Sequence, residues 1–275
     1  MKWELLIPLL FILFIGIPHG ASDILIARRR FKNSWLKILF FIIGYLFVAI
    51  IFTTAWFFYP ILCLGVFLFI SGLHFGLLDT IKMPTSSLNF IQALIYGLTP
   101  IIIPIVFHTR EVNEIFKLLL FDENNDIAYQ IQHFFLVWLL GLIIFFVRSP
   151  ESSQRQVLEI IILATLLVTM PPLWGFAFYF CFVHSIRHFL NLRKELNNLE
   201  TFDVIALFMT SMATITLVAL AGFLLKGNGI EESLLKVTFI GLAALTVPHM
   251  LLVDLYPRIR LRALKRTISL FFLIE

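Results

Sequence analysis

The chain is poor in charge: only 14% of its 275 residues are Asp, Glu, Lys or Arg, where a soluble domain carries about 25%. That scarcity, beside 60% hydrophobic residues and a mean hydropathy of +0.97, excludes an ordinary soluble globule and points to a membrane protein. Cysteine is nearly missing. Cys63 and Cys181 both lie inside apolar runs, so neither a disulfide framework nor a cysteine metal site is expected. A concentrated basic surface is also lacking. The net charge of +4 comes from residues in short loops between apolar runs, which argues against a nucleic-acid partner and for a lipid bilayer as the surroundings. No long polar stretch remains for a second domain, so residues 1–275 read as a single integral membrane domain.

What is present is a series of apolar runs, at about 5–26, 36–58, 60–81, 88–107, 132–147, 157–171, 172–192, 203–225 and 234–256. Each approaches the roughly 20 residues that a membrane-spanning helix needs. Pro171-Pro172 divides one long stretch in two, because proline ends or kinks a helix at the residue before it. The expectation is an all-α bundle of eight or nine spans. The first run lacks a small-x-small cleavage site and ends in Arg28-Arg29-Arg30, so it reads as a retained helix rather than a signal peptide. The tail at 264–274 is too short to cross and suits an interfacial helix. Placing the loop of Arg28, Arg29, Arg30, Lys32 and Lys37 in the cytoplasm gives a threefold excess of basic residues on that side. By the positive-inside rule the N-terminus is then outside and the C-terminus cytoplasmic. The run Asp122-Glu123-Asn124-Asn125-Asp126 falls in the longest outer loop.

Of seven histidines, His108 and His133 flank that acidic loop, and five lie within spans: His19, His74, His184, His188 and His249. An ionisable residue inside a membrane is costly and is a functional hypothesis by default. Their depth is shared. His19, His74, His184 and His249 each stand eight or nine residues before the basic residue that flanks the end of their run, Arg28, Lys82, Arg193 and Arg258, with Arg187 left inside its run. At 1.5 Å per residue that is roughly 12–14 Å from the cytoplasmic edge, near the middle of a core about 30 Å thick. His188 shares the face of His184 at i+4. A single such histidine is often a hydrogen-bonding group between helices, but five in one layer argue for a shared metal or proton site. Imidazole suits zinc, copper, iron or nickel, and this chemistry does not separate iron from zinc. No glutamate accompanies the histidines in their layer to bridge a di-iron pair.

Gly72 and Gly76 flank His74, and Gly20 follows His19, so backbones can approach closely. Pro18 and Pro248 precede His19 and His249, either aiming the imidazoles or only kinking the helices. Asp23, Asp79 and Asp254 follow His19, His74 and His249 by four or five residues. Metal-bound imidazoles usually donate their second N–H to such carboxylates, although these charges could equally mark the interface. Asp23 is nearest in helical phase to the histidine it follows, and Arg187 stands at a depth to pair with one of the aspartates. Phe176, Ala177 and Phe180 share the face of His184 and are candidates to line an apolar cavity above it.

The motifs Gly16-Ile17-Pro18-His19-Gly20-Ala21-Ser22-Asp23, His74-Phe75-Gly76-Leu77-Leu78-Asp79, His184-Ser185-Ile186-Arg187-His188 and Pro248-His249-Met250, in this order, resemble those of the Brp/Blh family of β-carotene 15,15'-dioxygenases. The resemblance implies a non-haem Fe(2+) enzyme of the plasma membrane that uses O2 to cleave the central double bond of β-carotene. The product would be two molecules of all-trans-retinal, the chromophore of microbial rhodopsins, which implies a functional link to such a protein. It carries iron ligation onto His19, His74, His184 and His188, with His249 a support or an additional ligand. An alternative is a membrane transporter whose histidines bind a transition metal or relay protons; it would need an aqueous path, and the spans hold few other polar residues. A histidine-box desaturase would need about twice as many clustered histidines, and a haem-b cytochrome would need axial pairs.

Overall fold

A computed structural model of the chain describes residues 3–32, 34–80, 87–148, 154–196, 199–224 and 229–251. Among these residues every element is helical. That is what a bilayer demands, since it offers no water to satisfy exposed backbone groups. In chain order the helices are α1 (Trp3–Phe11), α2 (Ile17–Ala21), α3 (Asp23–Arg30), α4 (Trp35–Phe58), α5 (Pro60–Thr80), α6 (Ser87–Phe107) and α7 (Thr109–Leu120). They continue as α8 (Ile127–Ile131), α9 (Phe135–Arg148), α10 (Gln154–Thr169), α11 (Pro172–Ala177), α12 (Ser185–Leu196), α13 (Thr201–Leu224) and α14 (Ile230–Met250). Two π-helical stretches, Ile12–Gly16 and Phe178–His184, join α1 to α2 and α11 to α12.

Among the described residues six segments are long and apolar enough to cross a membrane: Glu4–Arg30, Trp35–Phe58, Pro60–Asp79, Phe90–Phe107, Ile127–Val147 and Thr201–Leu224. The other three expected spans form helices of a different character. With 16 residues, α10 rises only about 24 Å. The segment from Pro172 to Leu196 is broken by its π-helical stretch. Helix α14 carries Glu231, Glu232 and Lys236 in its first turns. The chain is an integral membrane protein.

The burial of the long helices sorts them into layers. The apolar window of α6 is 61% buried and that of α5 50%, against 6% for α4 and 11% for α13. So α5 and α6, together with the largely buried α14, form the interior, while α4, α9 and α13 turn apolar side chains outward. The α5–α6 contact is backbone on backbone. A Cβ on Gly76 would stand 1.7 Å from the Ala93 carbonyl oxygen, and one on Gly97 1.8 Å from that of Gly72. The Gly72-x-x-x-Gly76 stripe therefore seats α5 against α6, and His74 between the two glycines points to the other side, toward His184 and His249.

The stretch after α6, expected as a polar outer loop, contains an amphipathic helix. In α7, Val112, Phe116, Leu119 and Leu120 are buried; their i, i+4, i+7, i+8 spacing forms an inward stripe. Trp56 Nε1 donates to the Leu119 carbonyl at 2.9 Å, holding α7 to α4. Across the bundle, Arg28 donates to Asp203 at 2.5 Å and Arg29 to its other oxygen at 3.0 Å. Two of the arginines that end the first apolar run thus clamp α3 to the first turn of α13.

Candidate metal centre

Two of the intramembrane histidines, His19 and His184, are set by a local irregularity of the helix. In the first span the π-helical Ile12–Gly16 precedes Pro18, and π-bulges re-aim the side chains that follow them. The His19 Nδ1–H donates to the Gly16 carbonyl at 2.7 Å, so its Nε2 faces inward with a lone pair. The second π stretch ends on His184 and returns to α-helix at Ser185, whose hydroxyl donates to the Phe180 carbonyl at 2.7 Å. The two irregular stretches pack on each other: the Cys181 thiol meets the Phe11 carbonyl at 3.2 Å.

All five imidazoles converge. His19 lies 5.2, 5.2 and 5.1 Å, centroid to centroid, from His184, His188 and His249, and 6.5 Å from His74. His74 is 4.9 Å from His184 and 4.7 Å from His249. His19, His74 and His184 offer ring nitrogens that all fall within 4.8 Å of one another. The Nε2 atoms of His249 and His74 are 3.2 Å apart. Two imidazole nitrogens on one ion at about 2.1 Å would be separated by roughly 3.0–3.4 Å, so this pair already has the spacing of one edge of a coordination shell.

The polar atoms behind the rings do not follow the chain-local pairing read from spacing. Asp23 supports His249, not His19: both its oxygens lie at 2.8 and 2.9 Å from His249 Nδ1. The Tyr45 hydroxyl donates to Asp23 Oδ2 at 3.0 Å and reaches the Leu245 carbonyl at 3.2 Å. Asp79 faces His184, with Oδ1 at 3.5 Å from Nδ1, and accepts the Tyr179 hydroxyl on Oδ2 at 2.7 Å. Arg187 pairs with neither carboxylate. It donates to Tyr96 at 2.8 Å and Glu159 at 3.2 Å, and meets Asp79 only through the backbone carbonyl, at 3.5 Å. Asp254 falls outside the described residues.

Whether a metal fits can be read from what remains unsatisfied. The buried His19 Nε2, both ring nitrogens of His184 and His188 Nδ1 have no hydrogen-bond partner among the described residues. Buried polar atoms are rarely left so, and several imidazole nitrogens facing one small volume make the donor set of a divalent transition metal. The group fits. His108 and His133 stay apart: His108 Nε2 meets the Val168 carbonyl at 3.0 Å, and His133 is exposed.

The aromatic roof is more packing than cavity. Phe180 stacks on His184 at 6.0 Å and edges onto His19 at 5.2 Å, and Phe176 stacks on Phe180 at 5.5 Å. Ala177 is fully enclosed. Phe176 also lines a small separate cavity between α5, α6 and α7, of about 80 Å³. The cavity that touches the histidines lies on the other side, where about 170 Å³ is bounded by His19, His249, Asp23, Tyr45, Thr210 and Thr214 among others. Sequence reading missed Tyr45, Tyr179, Tyr96 and Glu159. The signal available was that polar or hydroxyl-bearing side chains within apolar runs need partners.

The sequence model of the family described as beta-carotene 15,15'-dioxygenase matches residues 10–256. The chain is 31% identical over 250 residues to "Beta-carotene 15,15'-dioxygenase" of an uncultured marine bacterium 66A03, covering 88% of this chain and 90% of that one. It is 24% identical over 290 residues to "Probable beta-carotene 15,15'-dioxygenase Blh" of Halobacterium salinarum, covering 89% and 82%. No solved structure matches. The converging histidines lie on helices inside the matched region, and the chain belongs to the β-carotene 15,15'-dioxygenase family.

Proposed function

We propose that this chain is a β-carotene 15,15'-dioxygenase of the plasma membrane, holding Fe(2+) on His19, His74, His184 and His188, with His249 as a support or a further ligand. The carrying observation is the convergence of the imidazoles, with ring nitrogens of His19, His74 and His184 within 4.8 Å of one another, in a chain of this family. In the reaction the central C=C of the polyene is broken and each carbon gains one oxygen of O2, so one β-carotene and one O2 become two retinals. Bound iron would supply the one-electron redox chemistry that lets triplet O2 react with a closed-shell alkene.

The residues contribute binding, tautomer control and exclusion of water. The Gly16 carbonyl holds the His19 proton on Nδ1, and Asp23 does the same for His249, so both rings turn Nε2 inward. Such supports raise ligand basicity and fix ring orientation. Phe180 and Phe75 wall the rings, keeping the centre dry, and the apolar substrate arrives from the bilayer. The product suits a microbial rhodopsin in the same membrane. With the N-terminus outside and the C-terminus cytoplasmic, the centre lies near the bilayer midplane. The transporter reading has no supporting observation, because the cavity beside the histidines is walled mainly by apolar side chains.

The test is expression in a β-carotene-producing bacterium, with pigment and retinal quantified and iron measured in the purified protein. Bleaching, retinal and about one iron per chain are expected. Unchanged carotene in cells whose membranes contain the protein would overturn the enzyme reading.

A further inference from the structure

Helices α4 and α13 each pack against α14, with no comparable packing of α4 on α13. The result is a cleft floored by α14 and open sideways toward lipid: Leu46 and Ile50 on its α4 wall, and Leu217 on its α13 wall, are exposed. Two cavities occupy it. One begins at His19 and His249. The other, of about 500 Å³, runs on past Ala49, Ala221 and Gly241 to Lys236, Phe57 and Phe121. They share Leu46, Thr214 and Leu245 as walls, so the two cavities adjoin.

We propose that this cleft holds one half of the polyene substrate, with its end ring stopped at the Phe57–Phe121 pair. This rests on the enzyme reading above and adds the location and the register of the substrate. Three observations select an elongated apolar occupant with a cyclic end. First, length: from His249 to Lys236 is thirteen residues of α14, about 20 Å. Half of a molecule as long as the hydrocarbon core is thick spans about 15 Å, which leaves room for a ring. Second, chemistry: the polar groups of the far cavity are threonine and serine hydroxyls and Lys236, whose amine is tied to Glu232 at 2.5 Å and lies 5.3 Å from the Phe121 ring. Third, the far end is built. Phe57 and Phe121 stack at 5.7 Å and 18°, and Phe121 holds φ 57°, the left-handed region, which is uncommon for a bulky residue. That backbone turns the end of α7 so that its ring closes the cleft.

The experiment places a thiol in the far cavity. Ala221→Cys adds only a sulfur, and the native Cys63 and Cys181 are buried. The full-length variant, in vesicles of phosphatidylcholine with or without β-carotene, is treated with a lipid-permeable maleimide. Carotene should slow labelling at least fivefold, and an equal amount of added phospholipid should not. In parallel Phe121→Gly, which suits the left-handed backbone while removing the ring, should let the polyene slide and give unequal apocarotenals beside retinal. An Ile115→Cys control, in the cavity under α7, should label at one rate throughout. Unslowed labelling of Ala221→Cys in a protein that still bleaches carotene overturns the cleft alone, as does protection of Ile115→Cys instead. Retinal as the sole product of Phe121→Gly, at the wild-type rate, overturns the ring stop. Failure of the wild-type protein to bleach carotene, together with unslowed labelling of Ala221→Cys, overturns this proposal together with the enzyme reading.

Discussion

Asp23 is four residues from His19, yet its carboxylate belongs to His249, 226 residues away along the chain. Spacing alone favoured the local partner, since i and i+4 share a helical face. The structure gives His19 the Gly16 carbonyl instead, in a turn where the π stretch and Pro18 disturb the regular ladder. That the five histidines come together was legible from their similar spacing to the basic residues flanking each run. The partners were not, because they depend on which helices adjoin. Asp23→Asn should keep the fold but weaken metal binding about 10–100-fold, the usual consequence of losing such a support. Titration of the purified apo-protein with Fe(2+) under anaerobic conditions checks this, and unchanged affinity would leave Asp23 a merely structural hydrogen-bonding group. His184→Ala should carry little or no iron by elemental analysis, since His184 is fully buried, with Nδ1 facing Asp79 and Nε2 without a hydrogen-bond partner.

Elements differ in how much of their form was readable. The long, uniformly apolar α4, α5, α6 and α13 follow from hydropathy and length, and their register with proline and glycine punctuation was close. Helix α7 was not anticipated because its polar face and the acidic run beyond it look like a loop. Only its 3.6-residue apolar stripe betrays it. The two π-helical stretches were equally hidden, since one extra residue per turn leaves no compositional mark. The Gly72-x-x-x-Gly76 stripe was visible, but Gly97 and Ala93 as its partners were not. Gly97→Ala must push α5 and α6 apart, because its Cβ would meet backbone atoms of both Gly72 and Gly76 within 2.4 Å. Lower thermal stability in detergent and loss of bound iron should appear together. Gly20→Ala, where an added Cβ meets nothing within 4 Å, should lower thermal stability little.

At the scale of the whole molecule, one buried ion-pair cluster joins the beginning of the chain to α13. Arg28 and Asp203 are both enclosed, and removing one partner of a buried pair leaves an uncompensated charge, costing about 3–5 kcal/mol. Asp203→Ala should therefore cut the yield of folded protein sharply, and replacing both, Arg28→Met with Asp203→Leu, should restore much of it. A thermal-shift series on the wild type and these two variants checks the coupling. If the double variant is as poor as the single one, the pair acts through something other than its charges.

The bond between Asp23 and His249 also sets an order of events in the cell. The ribosome makes Asp23 and His19 near the start and His249 near the end, so the first span must wait in the bilayer until α14 has been inserted. The centre cannot be completed during synthesis. A chain ending before α14 should insert its earlier spans yet bind no iron, and supplying residues from about 229 onward as a separate polypeptide should restore it.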